Sequence, residues 1–195
     1  VKWLLLTLAF LIGGCGGGAS FPKDWDIENY TLSLEFERTW CSGTAVGKHT
    51  ILTATHCLGG GALVKVNGEP VKASSHVDDG ADHSLVVVDK TFRTWARMGR
   101  KPVQTQRVRL IGTPGGEADV YREGYVARVR GDEVWFVSPG FGGDSGSALF
   151  DDGGRIVAVL SGARTWVDYR SGSVFTVVVA FPIKFTEKQW KAAGV

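Results

Sequence analysis

The sequence predicts an all-β protein: two six-stranded antiparallel β-barrels packed side by side, followed by a short C-terminal helix. Three observations carry this. Gly is abundant, 27 of 195 residues, well above the usual share of about 7%. The glycines punctuate short apolar runs, as turns between strands do. Those runs fall into two sets of about six, separated by a polar connection, and no solenoid or propeller period is present.

The first set occupies residues 30–89. Thr31-Leu32-Ser33-Leu34-Glu35-Phe36 alternates as a half-buried strand should. Thr44-Ala45-Val46, Thr50-Ile51-Leu52-Thr53, Leu63-Val64-Lys65-Val66 and Ser84-Leu85-Val86-Val87-Val88 continue it, with Asn67-Gly68 as a tight turn. Residues 90–102, with Arg93, Arg97, Arg100 and Lys101, read as the connection. The second set occupies residues 103–182. Its runs are 108–111, 120–129, 133–137, 147–150, 156–160 and 174–181, with Gly131-Asp132 as one turn. Residues 185–193 carry the helical stretch.

With 195 residues and an apolar fraction of 44%, the chain can bury the core of one domain. The net charge is +2 with mixed signs, which gives no reason to propose a nucleic-acid partner. No histidine shows metal-ligand spacing; His49, His76 and His83 read as surface residues, and no metal or other cofactor is expected.

Residues 1–14 read as a signal peptide, with Lys2 as a basic start and an apolar run too short for an ordinary spanning helix. Ile12-Gly13-Gly14-Cys15 resembles the bacterial lipobox, which implies export, lipidation at Cys15 and a membrane anchor. Gly16 after the cysteine points to the outer membrane in a Gram-negative cell. Residues 15–29 then form a Gly-rich tether, and residues 30–195 the folded domain. Cys15→Ser should leave the protein released or unprocessed. Three cysteines leave one unpaired. If Cys15 is lipidated, Cys41 and Cys57 remain, and an oxidising compartment allows them to join. In a cytosolic protein the same two would be free thiols.

Three local patterns carry chemistry: Thr53-Ala54-Thr55-His56-Cys57, Asp82-His83-Ser84-Leu85, and Gly142-Gly143-Asp144-Ser145-Gly146. In this order they resemble the chymotrypsin/trypsin-like serine proteases. The chain order His, Asp, Ser differs from that of subtilisins and α/β-hydrolases. The resemblance implies a serine endopeptidase acting on protein or peptide substrates, with His56, Asp82 and Ser145 as its triad. It also implies a disulfide between Cys41 and the Cys57 that stands beside the histidine.

The chemistry agrees with those residue types. A serine hydroxyl needs a base within hydrogen-bond reach, and imidazole titrates near neutrality. A carboxylate fixes the histidine tautomer and stabilises the imidazolium. Glycines around Ser145 permit a tight turn, whose Gly143 and Ser145 backbone N–H groups would form an oxyanion hole. Asp78 and Asp79 compete with Asp82 for the third role; Asp82 is preferred because it alone directly precedes a strand able to hold it.

Two departures from the family pattern matter. There is no Ile-Val-Gly-Gly-type segment whose freed N-terminus would pair with the Asp before the nucleophile, so Asp144 is expected to find another partner without such activation. The specificity pocket, read as Pro139, Phe141, Ser161, Gly162 and Ala163, holds no acid. Cleavage after Lys or Arg is therefore not expected unless Asp168 folds back into it. A small or apolar side chain is the first choice, and an acidic one read by Arg164 the second. The competing function from another class is a catalytically silent protease-fold binding or adhesion protein.

Overall fold

The computed structural model describes residues 27–195. The signal peptide, Cys15 and most of the tether lie outside the described residues. The first half is a curled antiparallel sheet in the order β5-β4-β1-β2-β3-β7-β6. Its strands are β1 (Thr31–Phe36), β2 (Trp40–Ala45), β3 (Thr50–Ala54), β4 (Leu63–Val66), β5 (Glu69–Pro70), β6 (Ala73–Asp78) and β7 (His83–Val88). The second half is a closed six-stranded barrel in the order β10-β13-β12-β11-β8-β9. It is built from β8 (Arg107–Gly112), β9 (Val120–Arg130), β10 (Glu133–Phe136), β11 (Ala148–Phe150), β12 (Ile156–Val167) and β13 (Val174–Phe181). Helix α1 (Glu187–Ala192) ends the chain, started by a capping box between Thr186 and Gln189.

This is the two-barrel architecture with a short helix, with one difference of detail. The first half counts seven strands because β5 and β6 join it at its edges, and those edges are not paired with each other.

β1 shows why the alternation reads correctly. Leu32, Leu34 and Phe36 enter the first core, while Ser33 and Glu35 are half-buried. Glu35 meets Lys65 across the strand pair at 3.0 Å. β3 and β7 behave differently, because both of their faces are covered. Ile51 and Ala54 of β3, with Val86 and Val88 of β7, pack in the first core. Leu52 and Leu85 point the other way, into a cluster with Ile111, Phe150, Ile156 and Val159 of the second half. A third cluster, with Leu110, Phe136, Leu149 and Leu160, fills the closed barrel.

The middle cluster welds the halves together, and the connection reinforces it. Ala96 donates its N–H to Ala45, and Gly99 donates to Ile156, so this segment is bonded to both halves. Helix α1 closes onto the first half, where Thr50 Oγ1 donates to the Ala193 carbonyl at 2.5 Å. A doubly covered strand pair at the seam is a rigid base for side chains presented at its end.

Candidate active site

β3 and β7 run antiparallel, with Ala54 opposite His83. A residue just after β3 and one just before β7 are therefore neighbours. His56 sits in the 3-10 turn Thr55–Gly60 that follows β3, and Asp82 immediately precedes β7. Thr55 N–H donates to the Asp82 carbonyl at 3.0 Å. The His56 N–H donates to Asp82 Oδ1 at 3.0 Å, and His56 Nδ1 lies 2.8 Å from Asp82 Oδ2. A carboxylate can only accept, so Nδ1 carries the proton and Nε2 is left as the base.

Ser161, at the bulge in β12, donates its hydroxyl to the same Asp82 Oδ2. Ser161, a predicted pocket-wall residue, thus also supports the carboxylate through its hydroxyl. Burial pushes the Asp82 carboxyl up, but the hydrogen bonds from Ser161 and His56 outweigh this and hold it below its ordinary 3.8. His56 keeps an open face, its side chain 46% exposed against 26% for Asp82.

The rival carboxylates are already engaged. Asp78 accepts from Ser84, and Asp79 accepts from His83 Nδ1 at 2.6 Å. The expectation that His83 lies at the surface is corrected here. It is fully buried, because it opens a strand covered on both faces. His76 is exposed, and His49 is partly buried, with Nδ1 3.0 Å from the Lys90 carbonyl.

Ser145 lies on the loop before β11, and β2 grips that loop through Ser42, a residue the sequence reading passed over. Ser42 donates its N–H to the Ser145 carbonyl at 2.8 Å and its hydroxyl to the Gly143 carbonyl at 2.9 Å. The same hydroxyl accepts from Thr113 N–H. Neighbouring Cys41 is joined to Cys57, the residue after His56, by a disulfide with a Cα–Cα distance of 6.3 Å. Cys57 Sγ lies 3.8 Å from the Ser145 carbonyl oxygen. One strand thus gathers the serine loop and the histidine turn.

Glycine is required on both sides of the serine. Gly143 has φ +100° and Gly146 φ +87°. A Cβ would strike the Thr113 carbonyl at the first and the Ser42 carbonyl at the second. Between them the Asp144 N–H donates to Phe141. Among the described residues, the N–H groups of Gly143 and Ser145 are not bonded to any other residue.

The partner expected for Asp144 is Arg122 on β9. Asp144 is fully buried. Both its oxygens meet the Arg122 guanidinium, with Nη1 2.8 Å from Oδ2, and Phe141 N–H adds a third donor at 2.9 Å. Arg122 also donates to the Pro139 carbonyl at 2.8 Å. Gly112 makes the room: a Cβ there would strike Asp144 and the guanidinium.

The predicted pocket residues divide. Pro139 is exposed and serves through its carbonyl. Phe141 stands 60% exposed. Gly162 borders open space. Ala163 faces Gly140, where a Cβ would lie 2.9 Å from the Ala163 methyl and 3.2 Å from a Val178 methyl. The loop and the β12–β13 wall therefore meet almost in contact at Gly140. Arg164 has partners outside these residues. It pairs with Glu133 at 2.8 Å and lies over the Trp135 ring. Asp168 does not fold back either; it binds the N–H of Arg170 and the hydroxyl of Ser171 in the β12–β13 turn.

Comparison with known proteins agrees with this geometry. The trypsin-like peptidase domain family matches residues 41–159, and no curated protein matches the chain significantly in sequence. Among solved structures, the active form of the Rv3671c protease from M. tuberculosis superposes with a TM-score of 0.70 at 15% identity, covering 87% of this chain and 82% of that one. A Glu endopeptidase in complex with MPD gives 0.62 at 16% identity, with 87% and 91% covered. A serine endoprotease from Yersinia pestis gives 0.64 at 20% identity, with 79% and 58% covered. The family match spans more than half of the chain, and the chain belongs to the trypsin-like peptidases.

Proposed function

We propose that this peptidase is a serine endopeptidase in which Ser145 attacks the scissile carbonyl, His56 takes and returns its proton, and Asp82 orients His56. The observation that carries the reading is the His56–Asp82 pair, 2.8 Å at Nδ1, held by two backbone bonds and by Ser161. With Nδ1–H committed to Asp82, Nε2 accepts the serine proton. The imidazolium that forms is stabilised by the carboxylate. The alkoxide attacks, and the N–H groups of Gly143 and Ser145 receive the oxyanion, at about 3–4 kcal/mol per donor. Nε2–H then protonates the leaving amine. Water repeats the sequence on the acyl-enzyme and frees Ser145.

The narrow approach at Gly140 supports cleavage after small side chains. A bulky residue would have to displace the Ala163 methyl, and a cation would find no carboxylate partner, a strong penalty for a buried charge. The experiment is a peptide-library profile of the wild type and of Ala163→Gly. The wild type should cleave after Gly, Ala or Ser. Ala163→Gly should shift the preference toward larger apolar residues, by about 1–3 kcal/mol per methylene accommodated. A profile led by Lys or Arg contradicts the pocket reading, and no cleavage of any peptide supports the silent binding protein instead.

A further inference from the structure

We infer that Asp79 and His83, a buried histidine–aspartate pair outside the triad, are positioning residues that hold Asp82 in its working conformation. The inference rests on the triad reading above.

Asp82 has φ +68°, in the left-handed region that a residue with a side chain rarely adopts. Something must select it. Asp82 lies inside a five-residue loop, 79 to 83, closed at its ends by the Asp79 N–H donating to the His83 carbonyl at 3.1 Å. The Asp79 carboxylate fills the centre of this loop and accepts four hydrogen bonds. Ala81 N–H at 2.7 Å and His83 N–H at 3.2 Å bind Oδ1. His83 Nδ1 at 2.6 Å and Lys184 N–H at 2.9 Å bind Oδ2. Two of the donors are the backbone groups of the residues on either side of Asp82: His83 N–H lies in the peptide that follows Asp82, and Ala81 N–H lies in the peptide before Ala81, so the carboxylate brackets Asp82 within the loop. The side chains of Asp79 and His83 are 0% and 1% exposed. Neither can meet substrate, and any role they have in turnover passes through Asp82.

The fourth donor comes from the far end of the chain. Lys184 follows β13, and Gln189 of α1 donates from Nε2 to the Asp78 carbonyl at 2.7 Å. Gln189 is itself fixed by the capping box with Thr186. The C-terminal segment thus clamps the loop that presents Asp82, although its own residues lie more than a hundred positions away. A buried carboxylate with four donors is a stiff support. Loss of one donor would leave the fold in place and let Asp82 relax toward an ordinary backbone conformation, away from His56.

The test compares His83→Leu, His83→Asn, Asp79→Asn and Gln189→Ala with the wild type. Folded protein is counted by thermal unfolding, and active sites are titrated with a fluorophosphonate. In His83→Leu and Asp79→Asn, kcat per folded molecule and the fluorophosphonate labelling rate should both fall about ten- to a hundredfold, as for a small misplacement of a catalytic group, with KM nearly unchanged. His83→Asn, which can restore a donor near Nδ1, should recover most of the loss. Gln189→Ala, which removes the outer clamp together with the Thr186 capping-box contact and keeps every buried group, should lower kcat severalfold and serves if the buried variants do not fold. A purely structural role would lower the unfolding temperature and leave kcat per folded molecule at the wild-type value, and that result overturns the inference. A wild type that takes no label removes the triad reading and the inference with it.

Discussion

A buried Arg–Asp pair does at Asp144 what an external charge would otherwise have to do. Asp144 directly precedes Ser145, the proposed nucleophile, and its carboxylate is fully enclosed. Arg122 occupies both of its oxygens and the Pro139 carbonyl as well. Two points of the loop that frames Ser145, Asp144 and Pro139, are thereby tied to β9. The pair is supplied from within the described residues. Arg122→Met keeps much of the apolar stem and removes the charge, leaving an uncompensated buried carboxylate. The expected cost is about 3–5 kcal/mol, read from urea unfolding, with a loss of kcat larger than any change in KM. Stability within about 0.5 kcal/mol of wild type would show that Asp144 has found another partner.

The limits of sequence reading are also clearest at single residues. His56, Asp82 and Ser145 stood out because each sits in a dense local pattern. Arg122, Ser42 and Gly140 did not, because their roles depend on contacts across large sequence separations that no local pattern encodes. Ser42 is an ordinary strand serine until the chain folds its hydroxyl against Gly143. His83 was misread because burial on both faces of β7 erases the alternation that would have marked it as interior.

At the scale of elements, strands that carry an apolar run or alternation were legible, and those that lack one, such as Trp40–Ala45 and Ala73–Asp78, were not. β1, β4 and β13 were read with the bounds they adopt, since their apolar residues recur with a strand period or as a continuous run. β6 was missed. Its Ala-Ser-Ser-His-Val-Asp sequence is almost wholly exposed, and only pairing with β7 makes it a strand. β12 was expected to stop at Leu160, where its buried residues stop. It continues to Val167 as an exposed ribbon paired with β13, carried by backbone bonds and by the Trp135–Trp166–Phe175 ring contacts.

The Cys41–Cys57 disulfide also belongs at this scale, because it joins β2 to the turn after β3 across a sequence separation of 16. Removing it with Cys41→Ala and Cys57→Ala together should cost about 3 kcal/mol in the chain-entropy model. It should also loosen the histidine turn against the serine loop, so kcat should fall in protein that remains folded. An unchanged urea midpoint and kcat would show that the disulfide holds nothing that the core does not already hold.

For the whole molecule, the seam between the two halves is part of the core and carries the proposed triad. The first half supplies His56 and Asp82, and the second supplies Ser145 and Ser161. The Leu52, Leu85, Phe150 and Ile156 cluster keeps the halves in register. Acid stability follows from the same seam. For both Asp79 and Asp82, burial pushes the carboxyl up, but the hydrogen bonds that each receives bring it below its ordinary 3.8. A depressed folded value means that the unfolded chain binds protons more readily, so stability rises with pH through this range. The contribution is complete above 3.8 and is lost as pH falls through the lower folded values. Urea midpoints should therefore be insensitive to these two groups near neutrality and should drop in strong acid. The acid dependence should be shallower in Asp79→Asn. An equally steep dependence in that variant would remove Asp79 from the account.

The central claim is that Ser145, activated through His56 and Asp82, is the nucleophile. Its most direct test is the mass of the protein after exposure to a fluorophosphonate, with the site located by peptide mapping. The account predicts one phosphonyl adduct per chain, on the peptide that contains Ser145. It also predicts no adduct in Ser145→Ala, and turnover reduced by about 10⁶ in that variant, as for loss of the serine in another triad protease. An adduct on a different serine, or Ser145→Ala protein that labels and cleaves like the wild type, would contradict it.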